Sequence, residues 1–213
     1  MLNVTLLCSD IEHPVYVYLS TWQERNKDNY NIELVTSVAD IKNANGVLFL
    51  ISCSEFIKKE IRERFEYTLV LHASDLPQGR GWSPHVWDIL TGKDRIVLSL
   101  LNAESGIDTG DIWRKIHIPL DGTELFDEIN EKLFGAEIEL INWFCQNYKT
   151  ATPTSQTGNP DYYEKRTPEN SELDTDKTIR EQFNLLRVCD PNRFPAYFII
   201  NGQRYNITIK KVN

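Results

Sequence analysis

Leu71-His72-Ala73-Ser74-Asp75-Leu76-Pro77-Gln78-Gly79-Arg80-Gly81, followed later by Ser105-Gly106-Ile107-Asp108-Thr109-Gly110-Asp111, is the stretch on which the fold turns. Its first half ends an apolar run, Tyr67 to Leu71, on a single His and a turn-rich loop. Its second half follows another apolar run, Ile96 to Leu101, and delivers an Asp caged between glycines. Open α/β sheets hold their ligands in the crevice beyond the carboxyl ends of the strands. A His and an Asp carried to two such ends can serve as an acid–base pair.

Outward from this stretch the chain alternates strand and helix. Val4 to Cys8 reads as a buried strand. Ser9 or Asp10 starts a helix with Val15, Val17, Tyr18 and Trp22 on its apolar face. Ile32 to Val35 is a short strand, and Val47 to Ile51 is a continuous apolar run suited to a central parallel strand. Ser54-Glu55-Phe56-Ile57 opens a helix ending near Phe65, with Ser54 as its cap. Trp82 to Leu90 is a short helix and Ile112 to Leu120 a strand. Thr123 to Tyr148 is a long amphipathic helix carrying Leu125, Ile129, Leu133, Ile138, Ile141 and Phe144. This alternation predicts an α/β domain over residues 1–150 with a mostly parallel sheet.

Residues 151–213 form a second region. Lys149 to Thr175 is polar and rich in Pro, Thr, Asn and Gly, as expected of a loop wrapping the domain. Asp176 to Val188 reads as a short helix with Ile179, Phe183 and Leu186 inward. Ala196 to Ile200 and Tyr205 to Ile209 flank Asn201-Gly202, the preferred type I′ hairpin dipeptide. Such a hairpin needs its edges covered, by its own domain or by the partner in a homodimer.

Composition narrows the class. The 213 residues are 41% hydrophobic and carry a formal net charge of −8, which argues against a dedicated nucleic-acid binder. Cys8, Cys53, Cys145 and Cys189 form no CxxC pair, so neither a zinc site nor a disulfide framework is expected. The first residues lack the basic and long apolar parts of a signal peptide, and no apolar run reaches the ~18 residues of a membrane span. A cytoplasmic protein with reduced thiols is the expectation.

Two constellations compete with bland alternatives. His72 is either a satisfied core histidine or, at neutral pH, a proton shuttle beside a strand end. Asp108 is either turn punctuation or the carboxylate that orients His72. Gln78-Gly79-Arg80-Gly81 is neither a Walker loop nor a dinucleotide fingerprint, and Arg80 meets either a phosphate or solvent. His13, His85 and His117 have no companion acid at a telling spacing and read as structural or surface residues.

Taken together, His72, Ser74, Leu76, Pro77, Arg80-Gly81, Pro84 and Ile107-Asp108-Thr109-Gly110-Asp111 resemble the signature of 10-formyltetrahydrofolate-dependent formyltransferases. The resemblance implies a Rossmann-like formyltransferase domain over 1–150, followed by the wrapping loop, C-terminal helix and β-hairpin of 151–213. It implies 10-formyltetrahydrofolate as co-substrate and no metal, with His72 and Asp108 catalytic. Glu55, Phe56, Ile57, Leu101, Glu104, Ile107 and Asp108 are the implied folate contacts. Ser74, Gln78, Arg80, Tyr162, Tyr163 and Arg166 are expected on the acceptor side. The family's Asn two residues before the His is replaced here by Val70. Where such a donor is used, losing it costs about 3 kcal/mol; Ser52, Ser74, Gln78 or a backbone N–H could substitute.

His72 through Pro84, and Phe183 through Phe198, are most similar to the branch that formylates nucleotide-linked amino sugars, such as 4-amino-4,6-dideoxyhexoses, for surface polysaccharides or nonulosonic acids. The expected partner is therefore a nucleotide sugar, with no nucleic acid and no membrane. The alternatives are a formyltetrahydrofolate hydrolase, a formyltransferase of the peptide-synthetase or glycinamide ribonucleotide type, and a non-catalytic folate-binding module.

Overall fold

The computed structural model describes residues 1–212. A six-stranded sheet contains β1 (Leu2–Leu7), β2 (Tyr30–Val35), β3 (Val47–Leu50), β4 (Tyr67–His72), β6 (Arg95–Asn102) and β7 (Ile112–Pro119), in the order β2-β1-β3-β4-β6-β7. The β2-β1, β1-β3 and β3-β4 pairs are parallel, whereas β6 runs antiparallel to both β4 and β7. Five of the six strands therefore point the same way. His72 lies at the carboxyl end of β4, but the Asp108 loop leaves the antiparallel β6 and enters the amino end of β7. That loop starts at the opposite edge, beside Thr68, and folds back to reach His72. The expectation that both groups leave strand ends on one edge is thereby corrected.

The strands are apolar because both faces are covered. On one face α1 (Tyr16–Asn26) and α4 (Phe126–Asn147) pack over Leu6, Phe49, Leu69, Leu71, Leu98 and Leu100. Phe144 of α4 meets Phe49 and Trp113 edge-on, with ring centroids 5.7 and 5.0 Å away. Each such buried side chain contributes about 1.5–3 kcal/mol of transfer free energy. The start of α4 is fixed by Glu128, whose carboxylate accepts the Leu125 N–H at 2.8 Å. The other face holds a smaller cluster of Leu7, Ile41, Leu48, Leu50, Ile57 and Phe65.

Several helix expectations need correction, beginning with α1, which starts at Tyr16 rather than at Ser9 or Asp10. Val17 is 63% exposed, because α1 buries Val15, Leu19 and Trp22, and Val17 lies about 200° around the helix from Val15. The helix expected from Ser54 is confined to α2 (Lys59–Arg62). The Ser54 N–H is bound by Ser9 Oγ at 3.0 Å, which holds residues 53–58 as a loop against the β1 end. The helix expected from Asp176 forms only as α5 (Phe183–Val188), and Ile179 is exposed rather than inward. Gln182 is the cause. Its amide accepts the Asp174 N–H at 2.6 Å and donates to the Asp174 carbonyl at 2.9 Å, tying 174–182 into turns.

The remaining elements lie over the carboxyl edge and one flank. β5 (Arg80–Gly81) pairs in parallel with β8 (Tyr162–Tyr163). Between β5 and β6, α3 (Pro84–Leu90) starts at Pro84, two residues later than expected, because Ser83 is left-handed (φ 47°). β9 (Ala196–Ile200) and β10 (Gln203–Ile207) form the hairpin. Asn201 and Gly202 have φ of 52° and 76°, as a type I′ turn requires, so β10 restarts at Gln203 rather than Tyr205. Its inner face joins Leu173, Leu186 and Cys189, and β9 is bridged by Glu172, so the hairpin folds back on its own chain. Among the described residues no helix is long and apolar enough to cross a membrane. The four cysteines are free thiols.

Candidate active site

His72 ends β4, and its side chain leaves the sheet on the same face as Val70. The imidazole is buried, one nitrogen hydrogen-bonded and the other facing a carboxylate. Nε2 lies 2.8 Å from the Gly79 carbonyl oxygen. A carbonyl only accepts, so Nε2 carries a proton and donates it. Nδ1 faces Asp108, with Oδ2 at 3.6 Å. That gap exceeds a hydrogen bond but leaves strong attraction once Nδ1 is protonated. Asp108 itself is 10% exposed in its side chain, so little water screens the pair.

Asp108 is locked from several sides. Its backbone is left-handed (φ 53°), a region that residues with a Cβ seldom occupy and that Asp enters more readily than most. Its Oδ2 accepts the Gly81 N–H at 2.9 Å. Two residues on, a Cβ on Gly110 would lie 1.9 Å from the Asn102 carbonyl oxygen, so only glycine fits. The Gln156 amide donates to the Asp108 and Gly110 carbonyls, each at 2.8 Å.

The loop that receives His72 is held by the wrapping segment. Arg80 N–H donates to the Asp161 carbonyl at 3.1 Å, and Trp82 N–H to the Tyr163 carbonyl at 3.2 Å. The Asp161 carboxylate also accepts the Gly79 N–H. Gly81 (φ 99°) lets β5 approach β8, where a Cβ would sit 2.5 Å from the Tyr163 carbonyl oxygen. Arg80 donates to Gln156 Oε1 at 2.7 Å and to the Tyr162 hydroxyl at 3.2 Å. Its guanidinium also lies 5.9 Å from the Tyr162 ring centroid.

The expected contacts divide into an open rim and a sealed wall. Phe56 and Ile107 are exposed, as are Glu55 and Glu104, and Tyr162 is exposed on the acceptor side. Ile57 and Leu101 are buried; Leu101 stands opposite Val70 in the ladder, so it backs the site instead of presenting a surface. Ser74 is 1% exposed beneath Gly79 and its hydroxyl has no partner, which corrects its expected place on the acceptor surface. Tyr163 is likewise built into the wall. Its hydroxyl donates to Asp88 at 2.8 Å and its ring stacks on Trp87. Burial and then the Asp88 carboxylate push its phenol far above the usual range. Arg166 donates to the Asn170 carbonyl at 3.2 Å and the Ser171 hydroxyl at 3.3 Å. Gln78 is exposed and lines a polar cavity of about 520 Å³ with Asp75, Arg114, Lys115 and Thr154, a cavity that includes neither His72 nor Asp108.

Val70 packs against the Leu50–Ile57–Phe65 cluster and offers no donor. Of the three side chains expected to substitute for one, Ser74 is sealed and Gln78 faces the other cavity. Ser52 is exposed and left-handed (φ 48°), two residues past the Leu50↔Val70 pair.

Sequence reasoning missed three residues of this neighbourhood. Gln156 and Asp161 sit in a polar loop with no periodicity, and only their bonds to the Asp108 turn and to Gly79 show why they matter. His85, read as structural or surface, has a buried, unpartnered Nδ1. Burial, reinforced by the positive fields of His13, His72 and Arg166, lowers its pKa to about 4, so it is neutral at pH 7. The Pro84-His85 step at the start of α3 was the available signal, but nothing in it revealed the burial.

A methionyl-tRNA formyltransferase of Finegoldia magna is 33% identical over 122 residues, covering 57% of this chain and 39% of that protein. The chain spans between 39% and 56% of the length of the curated relatives it matches. No protein-family model matches it. Among solved structures, the methionyl-tRNA formyltransferase from Clostridium thermocellum superposes with a TM-score of 0.85 at 23% identity, covering all of this chain and 94% of that one. WlaRD, a sugar 3N-formyltransferase solved with dTDP and 5-N-formyltetrahydrofolate, gives 0.72 at 18% identity, covering 96% and 84%. The fold is therefore the Rossmann-like α/β fold of the formyltransferases.

Proposed function

We propose that the protein transfers a formyl group from 10-formyltetrahydrofolate to the primary amine of a nucleotide-linked amino sugar, in the cytoplasm. The observation that carries this reading is the buried His72–Asp108 pair, formed between the carboxyl end of β4 and the folded-back β6–β7 loop of a formyltransferase fold, with Nε2 anchored on Gly79 and Nδ1 facing the carboxylate. The amine nitrogen attacks the formyl carbon to give a tetrahedral oxyanion. The folate N10–carbon bond then breaks, and the amine proton passes to N10, leaving a formamide and tetrahydrofolate. Protonated at Nδ1, His72 donates to the oxyanion or relays that proton, and Asp108 stabilises the imidazolium. Phe56, Glu55, Glu104 and Ile107 border the folate side; Arg80 and Tyr162 face the sugar nucleotide.

The net charge of −8 and the similarity to a sugar N-formyltransferase support the amino-sugar acceptor. Methionyl-tRNA is the second reading, favoured by the curated relatives. Val70 is what favours a hydrolase or a non-catalytic folate binder. Homodimerisation through the outer face of the hairpin, where Ile199, Ile200 and Tyr205 are exposed, belongs to the same proposal. The test incubates the protein with 10-formyltetrahydrofolate and, separately, a panel of nucleotide 4- and 3-amino sugars, methionyl-tRNA, or no acceptor. Formamide on an amino sugar is expected. Stoichiometric formate without acceptor would establish the hydrolase, and folate binding without any turnover the inactive module. His72→Gln and Asp108→Asn each lower kcat by about 10²–10⁴ at intact fold; near-normal rates in both would end the mechanism.

A further inference from the structure

We infer that Gln156, in the wrapping loop, is a positioning residue that sets the aim of the Asp108 carboxylate at His72. The inference rests on the catalytic reading of that pair. The backbone on either side of Gln156 does not dictate its role: Ser155 and Thr157 are exposed loop residues. The loop is nevertheless pinned two residues earlier, where Thr154 and Ile112 exchange both backbone hydrogen bonds at 2.8 Å. That bridge feeds the Gln156 side chain in beneath the Asp108 turn.

All the amide's strong hydrogen-bonding directions are then used. The two Nε2 hydrogens go to the Asp108 and Gly110 carbonyls, each at 2.8 Å, and Oε1 accepts from the Arg80 guanidinium at 2.7 Å. The amide cannot be turned over, since two carbonyls only accept and a guanidinium only donates. The bonds close a circuit. Gln156 holds the Asp108 backbone, the Asp108 carboxylate holds the Gly81 N–H at 2.9 Å, and Gly81 follows Arg80, which returns to Gln156. Without the two donated bonds, the left-handed Asp108 backbone is left with the Gly81 N–H on its own carboxylate and the passage of Gly110 over Asn102 two residues on, and neither holds the Asp108 carbonyl. The carboxylate would then swing away from His72 Nδ1.

Gln156→Glu is the sharpest test, because it keeps the side-chain size and the Arg80 contact and replaces both donors by an oxygen. Gln156→Ala is the second variant. Amide hydrogen exchange reads the geometry without any acceptor. The Gly81 N–H exchanges at least tenfold faster in both variants, while the Leu98 and Ile116 amides of the sheet are unchanged. Turnover is followed with 10-formyltetrahydrofolate and dTDP-4-amino-4,6-dideoxyglucose. In both variants kcat falls at least tenfold and the KM for 10-formyltetrahydrofolate stays within twofold. Wild-type Gly81 exchange and kcat in Gln156→Glu would overturn the inference. So would equal acceleration of all three amides in both variants, which marks a purely structural residue. A wild-type protein that formylates no acceptor counts against the transfer reading, and the exchange result still decides the role of Gln156.

Discussion

Glu137 is a charge-bearing residue in the wrong medium. It projects from the middle of α4 into the core, is 5% exposed, and has no partner for Oε2. Burial pushes its pKa from 4.5 up to about 8, so the folded protein holds it protonated at neutral pH. A carboxyl whose folded pKa is raised stabilises the fold fully below its unfolded value and loses that contribution as pH rises to the folded one. Between pH 4.5 and about 8 wild-type stability therefore falls through this group, by up to about 1.4 kcal/mol per pH unit. Gln at this position has no proton to lose. Urea melts from pH 5 to 9 will show a flatter profile for Glu137→Gln, with the variant more stable than wild type at pH 8.5. An unchanged slope would mean that Glu137 finds a partner in solution.

At the scale of elements, the Asp108 turn is tied to the β6–β7 pair by one glycine. The Asn102 N–H donates to the Asp111 carbonyl at 2.9 Å, and Gly110 passes directly over the Asn102 carbonyl. Gly110→Ala forces that carbonyl aside and opens the end of the ladder. The expected cost is about 2–4 kcal/mol in chemical denaturation, with loss of transfer even where the sheet survives. The sheet was legible because Val47 to Ile51 and Ile96 to Leu101 are short, nearly continuous apolar runs suited to strands covered on both faces. The Asp108 loop was legible because Gly106, Asp108 and Gly110 have few other uses in that order. The helices at 54–65 and 176–188 were not, since their residues have adequate propensity and lose to single side chains, Ser9 and Gln182, that bind the backbone first. The antiparallel sense of β6 was equally hidden, because an apolar run carries no direction. Glutamine and aspartate in a polar loop give no warning that they fasten a site.

For the molecule as a whole, the segment after residue 150 is joined to the sheet domain by charge as well as by packing. Arg187 ion-pairs with Glu124 at 3.6 Å, and both are buried. Lys132 shares the same carboxylate. Burial alone would raise the Glu124 pKa; the Lys132 hydrogen bond and neighbouring backbone N–H groups overcome it and hold the group at about 2. Because this pKa is depressed, the contribution is present above pH 4.5 and disappears as pH falls toward 2. Glu124→Gln leaves Arg187 without its counter-charge and should cost about 3–5 kcal/mol at pH 7. The gap between variant and wild type, measured by urea melts, narrows steadily from pH 4.5 down to 2. A constant gap would remove Glu124 from the acid response.

The short β5–β8 ladder also sets an order of events at the ribosome. Asp161 follows Gly79 by 82 residues. At about 5–20 residues per second, translation needs roughly 4–16 s to cover that interval. For the last 53 residues of it (161 − 108) the nascent chain already carries His72 and Asp108 but lacks the strap that secures their loops. The His72 and Asp108 loops are thus made before the segment that fastens them, and the pair can take its folded geometry only after residue 161 has emerged.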